Sequence, residues 1–320
     1  MKKIFLSLIS AVMVGSLAIG CTSNKASDGS SADKENAEYK AIALKHDLGE
    51  INITEKPETI VVFDLGALDT LDALGVEVSG VPKDSLTDYL SKYSEDKYTN
   101  IGALKEPDLE AISELSPDLI IISGRQADFY EDLSSIATTL YLPIDNSNYI
   151  ESVKNNITTL ADIFEVEDAA TEKLEALDKR TSEIQSKVKE KASDKKSLTI
   201  LANDGSISAY GPGSRFALID DLGFTAVDDT LDNSTHGQKI GYEYISDKNP
   251  DYIFIVDRSA AIGTEGASSA SKSLENDLVK STNAYKEGKM IYLNPTYWYL
   301  SGGGLTSFGE MIEEIGKAIN

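Results

Sequence analysis

The sequence predicts an α/β protein with two related lobes, each built on a parallel sheet, and one long helix that joins them. Short runs rich in Val, Ile and Leu alternate with helical segments, and this alternation is typical of parallel sheets. Two pairs of distant stretches match each other in the same order along the chain, which indicates a repeated α/β unit. Between the two halves lies a long segment without glycine or proline, which favours a helix.

The first residues have the pattern of a secretory signal. The chain begins with Met and two lysines, and an apolar run follows from Ile4 to Ile19. This run is too short for a membrane-spanning helix, which needs about 20 apolar residues. Gly20 and the only cysteine, Cys21, come directly after it, and the pattern resembles a lipoprotein signal. We therefore expect residues 1–20 to be removed and Cys21 to carry the lipid that holds the protein at a membrane.

The rest of the chain divides by composition. Residues 21–38 are almost without apolar side chains, so we predict a flexible tether there. We place the N-terminal α/β lobe at residues 39–148, the connecting helix at 149–192 and the C-terminal α/β lobe at 193–320. One long helix between the lobes would act as a strut and limit hinge bending.

The internal repeat is the strongest sequence feature of the folded part. Residues 110–125 match residues 243–258 at eight of sixteen positions, and residues 71–78 match residues 219–226 more weakly. Each longer stretch predicts a short helix, a Pro-Asp turn, a buried strand and an arginine at the end of that strand. The matching positions include glutamates, prolines, aspartates and arginines: Glu110 and Glu243, Pro117 and Pro250, Asp118 and Asp251, Arg125 and Arg258.

Eight strands follow from the apolar runs. Those of the first lobe are predicted at residues 59–63, 77–81, 118–123 and 139–144. Those of the second lobe are predicted at residues 197–202, 224–227, 251–257 and 289–295.

Composition excludes several classes of protein. Acidic residues outnumber basic ones by 53 to 30, and the formal net charge of −23 argues against nucleic acid as a partner. A single cysteine and two histidines exclude an internal disulfide and a metal site rich in Cys or His. No nucleophile motif, Walker loop or GxGxxG follows a predicted strand, so the sequence favours a binding protein over an enzyme.

Three of the four arginines lie where ligands of parallel sheets bind or in an adjoining loop. Arg125 and Arg258 follow the two matched strands, and Arg215 lies in the rigid YGPGSRF turn, whereas Arg180 is on the predicted connecting helix. Arginine is suited to planar, charge-assisted recognition of anionic oxygen ligands. His236, in a polar loop, is a potential metal ligand. The aromatic residues of NPTYWYLSGGG, which follow the last strand, are positioned to stack on a ligand, although packing is the simpler explanation for Trp298.

The segments HDLGEINITEKPETIVVFDLGALDTLDALGVEV, NIGALKEPDLEAISELSPDLIIISGR and NPTYWYLSGGG resemble the class III substrate-binding lipoproteins of iron–siderophore ABC importers. The resemblance extends from about Tyr39 to Asn320 and is greatest to the catecholate branch, which includes petrobactin-type receptors of Gram-positive bacteria. It implies two Rossmann-like lobes joined by one long rigid helix, with the ligand in the cleft between them. It also implies a monomer on the extracellular face of the membrane that carries iron(III) as a siderophore complex, with no intrinsic cofactor.

The resemblance also implies roles for particular residues. Arg125, Arg215 and Arg258 would bind the catecholate oxygens, and His236 and Tyr297 would complete the iron coordination where the siderophore leaves sites open. Tyr299 is the ligand-binding tyrosine, and it replaces Tyr297 at the iron if the loop is shifted by two residues. Two glutamates would dock on the ABC permease, one on each lobe: Glu110 and Glu243.

Other cargoes and other classes of protein remain open at this point. The same fold binds haem, hydroxamate siderophores or cobalamin in related receptors, and a haem protein would use His236 or Tyr297 as an axial ligand. Hydroxamate complexes carry less negative charge than catecholates, so three arginines suit them less well. A surface enzyme or an adhesion protein on the same scaffold is the remaining alternative.

Overall fold

Two sheets, one in each half of the chain, organise the structure. This computed structural model describes residues 39–232 and 234–319. The predicted signal at residues 1–20, Cys21 and the predicted tether lie outside the described residues. None of the helices in the described ranges is long and apolar enough to cross a membrane.

The strands confirm the α/β prediction, because each of the eight predicted runs contains an observed strand. The strands are β1 Ile42–His46, β2 Gly49–Ile53, β3 Ile60–Val62, β4 Gly80–Val81, β5 Thr99–Asn100, β6 Gly102–Ala103, β7 Glu106–Pro107, β8 Leu119–Ile122, β9 Thr139–Tyr141, β10 Lys196–Asn203, β11 Ser206–Tyr210, β12 Thr225–Ala226, β13 Gln238–Ile240, β14 Tyr252–Asp257 and β15 Met290–Leu293.

The helices follow the strands as the alternating pattern predicts. They are α1 Leu65–Ala73, α2 Leu109–Leu115, α3 Tyr130–Ile136, α4 Tyr149–Phe164, α5 Glu167–Ala192, α6 Leu218–Asp221, α7 Tyr242–Lys248, α8 Arg258–Ala261, α9 Ala270–Ser273, α10 Asp277–Lys280, α11 Asn283–Lys286 and α12 Leu305–Ala318. Short 3₁₀ turns occur at Lys83–Ser85, Asp88–Ser94, Ala127–Phe129 and Asn146–Asn148, and a π-helical turn at Thr296–Leu300.

The sheet of the first lobe is fully parallel, in the order β5-β4-β3-β8-β9. Its central strands β3 and β8 are buried on both faces. One face packs against apolar residues of α1 and α4, and the other packs against α2 and α3. Helices on both faces explain why these strands consist of continuous Val and Ile rather than an alternating pattern.

The sheet of the second lobe is mixed, which corrects the prediction of a purely parallel sheet. Strands β12 and β14 pair with β10 in parallel, and β15 pairs with β14 in parallel. Strand β11 pairs antiparallel with β10, and β13 pairs antiparallel with β11. The reversal occurs at Asp204-Gly205, where both residues have positive φ (46° and 80°). An Asp-Gly pair in this conformation forms a tight hairpin turn, so β10 and β11 are a hairpin that the sequence analysis missed.

The connection between the lobes contains a long helix, as predicted, but residues 149–192 form two helices rather than one. Helix α4 has 16 residues and α5 has 26, and α4 ends at Glu165 in the left-handed conformation (φ 53°). The two helices pack against each other, and Lys154 Nζ lies 2.9 Å from Asp178 Oδ1. Phe164, at the end of α4, is buried in the core of the first lobe. The break therefore lies beside Phe164, an aromatic anchor in that core, and no glycine or proline marks the break in the sequence.

The internal repeat has a physical basis in the structure. Ser116 and Asn249, at equivalent positions, end helices α2 and α7 in the left-handed conformation. The carboxylate of Asp118 accepts hydrogen bonds from the backbone N–H groups of residues 58 and 59 just before β3, and that of Asp251 accepts one from Lys196 at the start of β10. The two lobes thus use the same turn and the same carboxylate to join a helix to the sheet.

The three glycines after the aromatic segment let the last helix pack closely on the first. A Cβ on Gly66 would lie 3.1 Å from Gly304 N, and one on Gly304 would lie 2.6 Å from Gly66 O. Asp69 of α1 accepts hydrogen bonds from the N–H groups of Thr306 and Ser307 at the start of α12. The start of α12 is therefore occupied by a carboxylate of α1, and the glycine run serves close packing.

Candidate functional site

The structure brings Arg125, Arg215 and Arg258 together from three separate segments. Arg125 follows β8 in the first lobe, Arg258 is the first residue of α8 after β14, and Arg215 follows β11 through the Gly-Pro-Gly turn. Each side chain is partly buried. Because the carboxyl ends of parallel strands meet at one edge of each sheet, the two matched arginines reach the same place from opposite lobes.

The three arginines meet at one residue, Tyr299, which lies in the π-helical turn. Arg125 donates hydrogen bonds to the carbonyl oxygens of Tyr299 and Leu300, the latter over 3.1 Å. Arg215 Nη2 donates to the same Tyr299 oxygen over 3.1 Å. Arg258 Nε donates to the Tyr299 hydroxyl over 2.8 Å. Tyr299 therefore receives a hydrogen bond from each arginine.

The ring of Tyr299 also lies among the guanidinium groups. The guanidinium carbon of Arg215 is 4.4 Å from the ring centroid, and those of Arg258 and Arg125 are 5.8 Å and 6.0 Å away. The closest of these distances fits a cation–π contact, in which the ring face attracts the positive charge. We name this arrangement the arginine cluster: Arg125, Arg215, Arg258 and Tyr299.

The charges of the arginine cluster change the acidity of its own members. Loss of solvent acts to raise the pKa of Tyr299, but the hydrogen bond from Arg258 and the three positive charges outweigh it, so its pKa is lowered. The pKa of Arg125 is lowered by burial and by the charge of Arg215, while Asp64 acts in the opposite direction. The site is thus cationic, with a phenol that ionises more readily than usual.

Several residues around the arginine cluster were not singled out from the sequence. Asn203 Oδ1, at the end of β10, accepts a hydrogen bond of 3.0 Å from Arg258 Nη1. Tyr149, at the start of α4, is buried near Arg215 and Asp64, whose charges both act on its pKa. Tyr210, at the end of β11, is also close enough for Arg215 and Arg258 to affect its pKa. Asn203 lies at the carboxyl end of the parallel strand β10, which is the signal that would have found it, whereas Tyr210 ends the antiparallel strand β11.

Tyr297 lies outside the arginine cluster. Its ring contacts Tyr89, with centroids 5.2 Å apart in an edge-on arrangement. Burial and the negative charges of Glu310, Asp69 and Glu314 raise its pKa. The surroundings of Tyr297 are acidic, whereas those of Tyr299 are basic. Two residues apart in a helical turn, the two tyrosines point to different sides.

His236 is exposed on the loop before β13. No hydrogen bond, ion pair or ring contact joins it to the arginines among the described residues. Its loop nevertheless borders the site, because the Tyr210 hydroxyl donates to Thr235 O over 3.4 Å and a Cβ on Gly237 would meet the Tyr210 ring at 2.8 Å. His236 therefore lies between two residues, Thr235 and Gly237, that pack on Tyr210, a neighbour of the arginines.

Among the described residues, no hydrogen bond, ion pair or ring contact joins Trp298 or the two repeated glutamates to the arginines. Trp298 is buried, and its indole Nε1 donates to Glu314 over 2.8 Å, which confirms that it is a packing residue. Glu110 and Glu243 are exposed in the first turns of α2 and α7. Within residues 39–232 and 234–319 there is no group of three or more His, Cys, Asp or Glu side chains that could hold a metal ion.

The arrangement is suited to an anion with several oxygen atoms. Three guanidinium groups present many N–H donors in a fixed geometry, and such groups bind anionic oxygens more strongly than neutral ones.

Residues 60–297 match the periplasmic binding protein family. The chain belongs to this family. Membership confirms the prediction of a solute-binding protein rather than an enzyme.

Several members of the periplasmic binding protein family resemble this chain over most of its length. It is 45% identical to the petrobactin-binding protein YclQ of Bacillus subtilis over 323 residues, which cover 98% of each chain. It is 32% identical to the ferric-anguibactin-binding protein FatB of Vibrio anguillarum, covering 86% of this chain and 87% of that one.

Solved structures of family members confirm the fold. The crystal structure of YclQ superposes with a TM-score of 0.83 and covers 88% of this chain and 99% of the other. The periplasmic catecholate-siderophore binding protein VctP of Vibrio cholerae, 33% identical, superposes with a TM-score of 0.80 and covers 87% of this chain and 100% of the other. The two-lobed α/β architecture predicted from the sequence is thus that of siderophore-binding proteins.

Proposed function

We propose that this protein captures a ferric catecholate siderophore at the arginine cluster and delivers it to an ABC permease for iron uptake. The single observation that carries the proposal is the convergence of Arg125, Arg215 and Arg258 on Tyr299. A ferric tris-catecholate carries three negative charges on six oxygens, and the three arginines match that charge. The named specificities of the relatives, petrobactin for YclQ and catecholate siderophores for VctP, support the same class of cargo.

Iron coordination by the protein is part of this proposal. We assign the tyrosine donor to Tyr299, because its hydroxyl lies at the arginines and its pKa is lowered. This is the tyrosine expected at the iron if the loop is shifted by two residues. Tyr297 is the weaker candidate, since acidic neighbours raise its pKa and disfavour the phenolate. His236 would reach the iron from its exposed loop. These donors serve a tetradentate siderophore, which leaves two iron sites open.

Contact with the permease would use Glu110 and Glu243. Both are exposed in equivalent helices of the two lobes, as a permease with pseudo-twofold symmetry would require. Charge reversal of both should abolish iron uptake by cells and leave cargo binding by the purified protein unchanged. Reversal of Glu172, an exposed residue of α5, is the matched control. Loss of binding in the double variant would contradict the docking role.

The place of action would be the extracellular face of the membrane of a Gram-positive cell. Cys21 would carry the lipid anchor, and the tether would let a monomeric receptor reach the permease. Cys21→Ser should release the protein into the culture medium, as measured by immunoblot of cells and supernatant. Retention of the variant on cells would contradict the anchor.

The cargo can be tested through the single tryptophan of the chain. Trp298 directly precedes Tyr299, so its fluorescence should respond to an iron complex bound at the arginines. Purified protein is titrated with a ferric tris-catecholate, a ferric hydroxamate and haem. We expect quenching at submicromolar concentration with the catecholate only. Binding of only haem or only the hydroxamate would refute the proposed cargo.

The iron donors can be tested by visible absorption. A tetradentate ferric bis-catecholate should show a shifted charge-transfer band when Tyr299 and His236 replace water at the iron. Tyr299→Phe and His236→Ala should each remove the shift, and Tyr297→Phe should keep it. A shift that survives in Tyr299→Phe and disappears in Tyr297→Phe would reverse the assignment of the tyrosine.

A further inference from the structure

A buried serine joins the turn that carries Tyr299 to the last helix. Ser307, in the first turn of α12, donates a hydrogen bond of 2.6 Å from Oγ to the carbonyl oxygen of Ser301. Ser301 directly follows the π-helical turn at Thr296–Leu300, and both its N–H and its hydroxyl donate to Thr296 O over 3.1 Å. The Ser307 hydroxyl therefore holds the residue that closes the turn.

The backbone of Ser307 is itself fixed on the first lobe. Its N–H donates to Asp69 Oδ2 over 2.7 Å, and the N–H of Leu305 donates to Thr70 Oγ1 over 3.1 Å. Asp69 and Thr70 belong to α1. The start of α12 is thus held on α1 by main-chain donors, and these bonds do not involve the Ser307 hydroxyl.

The bond between Ser307 and Ser301 is shielded from water, because the two residues are 0% and 1% exposed. A buried carbonyl that loses its donor has no water to replace it, so its loss is costly. Gly304 N is a second donor to the Ser301 carbonyl, but its distance of 3.4 Å is long for a hydrogen bond. The Ser307 hydroxyl is therefore the main link between the end of the turn and the helix.

The held turn is the part of the site that all three arginines contact. Tyr299 receives a hydrogen bond from each of them, and Leu300 O accepts one from Arg125. Since these arginines come from both lobes, the turn must keep one position to meet them all. Ser301 directly follows Leu300, so a shift of Ser301 would move the two carbonyl groups before it.

We propose that Ser307 is a positioning residue for cargo binding, whose hydroxyl holds the turn where the three arginines and the Tyr299 phenol act on one ligand. This inference rests on the proposed function and adds a residue that acts on the cargo through Ser301 and the turn. Loss of the hydroxyl would change the geometry of the site and leave every charge of the arginine cluster in place.

The test removes the hydroxyl alone. Ser307→Ala keeps the backbone N–H that binds Asp69. Thr181→Val is the matched control, because Thr181 is also buried and its Oγ1 donates to a backbone carbonyl, that of Leu177 in α5, over 2.8 Å. Stability is measured by thermal unfolding with circular dichroism, and the dissociation constant of a ferric hexadentate tris-catecholate by tryptophan fluorescence. Hydrogen exchange of the amides in residues 299–301 is measured without cargo.

Ser307→Ala should weaken cargo binding about tenfold, because the turn loses one buried hydrogen bond that holds it at the arginines. The amide of Ser301 should exchange faster. The charge-transfer band of a bound ferric bis-catecholate should move back towards that of the free complex, since Tyr299 is displaced from the iron. Thr181→Val should lower thermal stability to a similar extent and change none of the other quantities. Unchanged affinity and exchange in Ser307→Ala, or equal changes in both variants, would overturn the inference and leave Ser307 a structural residue of α12.

A second variant decides the matter if Ser307→Ala does not fold. Ser301→Ala removes the side-chain bond to Thr296 O and keeps the backbone bond to the same oxygen. It should weaken cargo binding about threefold, and unchanged affinity would overturn the inference. Failure of the proposed function is separate, because hydrogen exchange is measured without cargo. A wild-type protein that bound no catecholate would refute the cargo, whereas cargo binding with an unchanged turn in Ser307→Ala would refute only the role of Ser307.

Discussion

Replacement of Arg258 by glutamine tests the arginine cluster most directly. Arg258 makes two side-chain hydrogen bonds in the site, one from Nε to the Tyr299 hydroxyl and one from Nη1 to Asn203 Oδ1. Glutamine ends where the guanidinium group begins, and it has no charge and only two N–H donors. The variant therefore loses one of the three positive charges and weakens the contact that holds the phenol.

The size of the effect follows from the bonds that the cargo would make. A hydrogen bond to a charged group contributes about 1.5–3 kcal/mol. Loss of one such bond to a catecholate oxygen should weaken binding about 10- to 150-fold, since each 1.4 kcal/mol is a factor of ten. The pKa of Tyr299 should rise at the same time, because Arg258 lowers it through both a hydrogen bond and its charge.

Both effects can be measured with a control of equal charge. Fluorescence titration gives the dissociation constant for a ferric tris-catecholate, and ultraviolet titration, with Tyr299→Phe as reference, gives the pKa of the phenol. Arg180→Gln removes the same charge from the exposed surface of α5 and should change neither quantity. Equal dissociation constants for Arg258→Gln and Arg180→Gln would refute the reasoning, because binding would then depend on overall charge alone.

Two further predictions concern stability. A Cβ on Gly304 would overlap Asp69 Oδ2, so Gly304→Ala should lower the free energy of unfolding by about 1–3 kcal/mol in urea denaturation. A Cβ on Gly124 would meet nothing within 4 Å, so Gly124→Ala should change the free energy of unfolding by less than about 0.5 kcal/mol. Equal effects of the two substitutions would contradict the packing argument. Burial and a neighbouring carboxylate raise the pKa of Asp220 to about 7, so the folded state holds this proton more tightly than the unfolded chain. Stability therefore falls as the pH rises from about 4, the pKa of an exposed Asp, to about 7, and the loss is complete above that pH. Asp220→Asn should therefore raise the free energy of unfolding by about 1–2 kcal/mol near pH 8 and by almost nothing near pH 4, whereas Asp194→Asn, at an exposed position, should show no such pH dependence.

Much of the fold follows from the sequence because its signals are local and strong. Continuous apolar runs predict the buried strands, and the repeat predicts that both lobes join a helix to a strand in the same way. Asp118 and Asp251 show why the repeat is informative: each carboxylate binds backbone N–H groups at the start of the neighbouring strand. The convergence of Arg125 and Arg258 also follows, because the strands before them are parallel to their neighbours and end at one edge of each sheet. Arg215 follows the antiparallel strand β11, so this rule does not predict its place in the site.

The structure differs from the sequence-based prediction where long-range packing overrides the local sequence pattern. The break between α4 and α5 has no glycine or proline, and burial of Phe164 in the first lobe decides it. The hairpin at Asp204-Gly205 is different, since Asp-Gly is a recognisable turn signal in the sequence itself. The choice between Tyr297 and Tyr299 needs the direction of each side chain in a π-helical turn, and spacing alone does not give it.

The hydrogen bonds of the arginine cluster indicate how the protein would respond to cargo binding. In the π-helical turn, Ser301 N donates to Thr296 O over 3.1 Å, so the turn is closed by a bond across five residues. The carbonyl oxygens of Tyr299 and Leu300 are instead bonded to Arg125, and that of Tyr299 also to Arg215.

An anionic cargo would exchange these neutral acceptors for charged ones, which form stronger hydrogen bonds with guanidinium groups. The carbonyls of the turn would lose their partners while the buried face of the long helix α5 keeps its packing. We therefore expect a local response in the turn rather than a large movement of the lobes. Hydrogen exchange of the amides in residues 296–304 should change on binding, with that of α5 unchanged. A large change in α5 alone would instead indicate that the lobes move about the connecting helices.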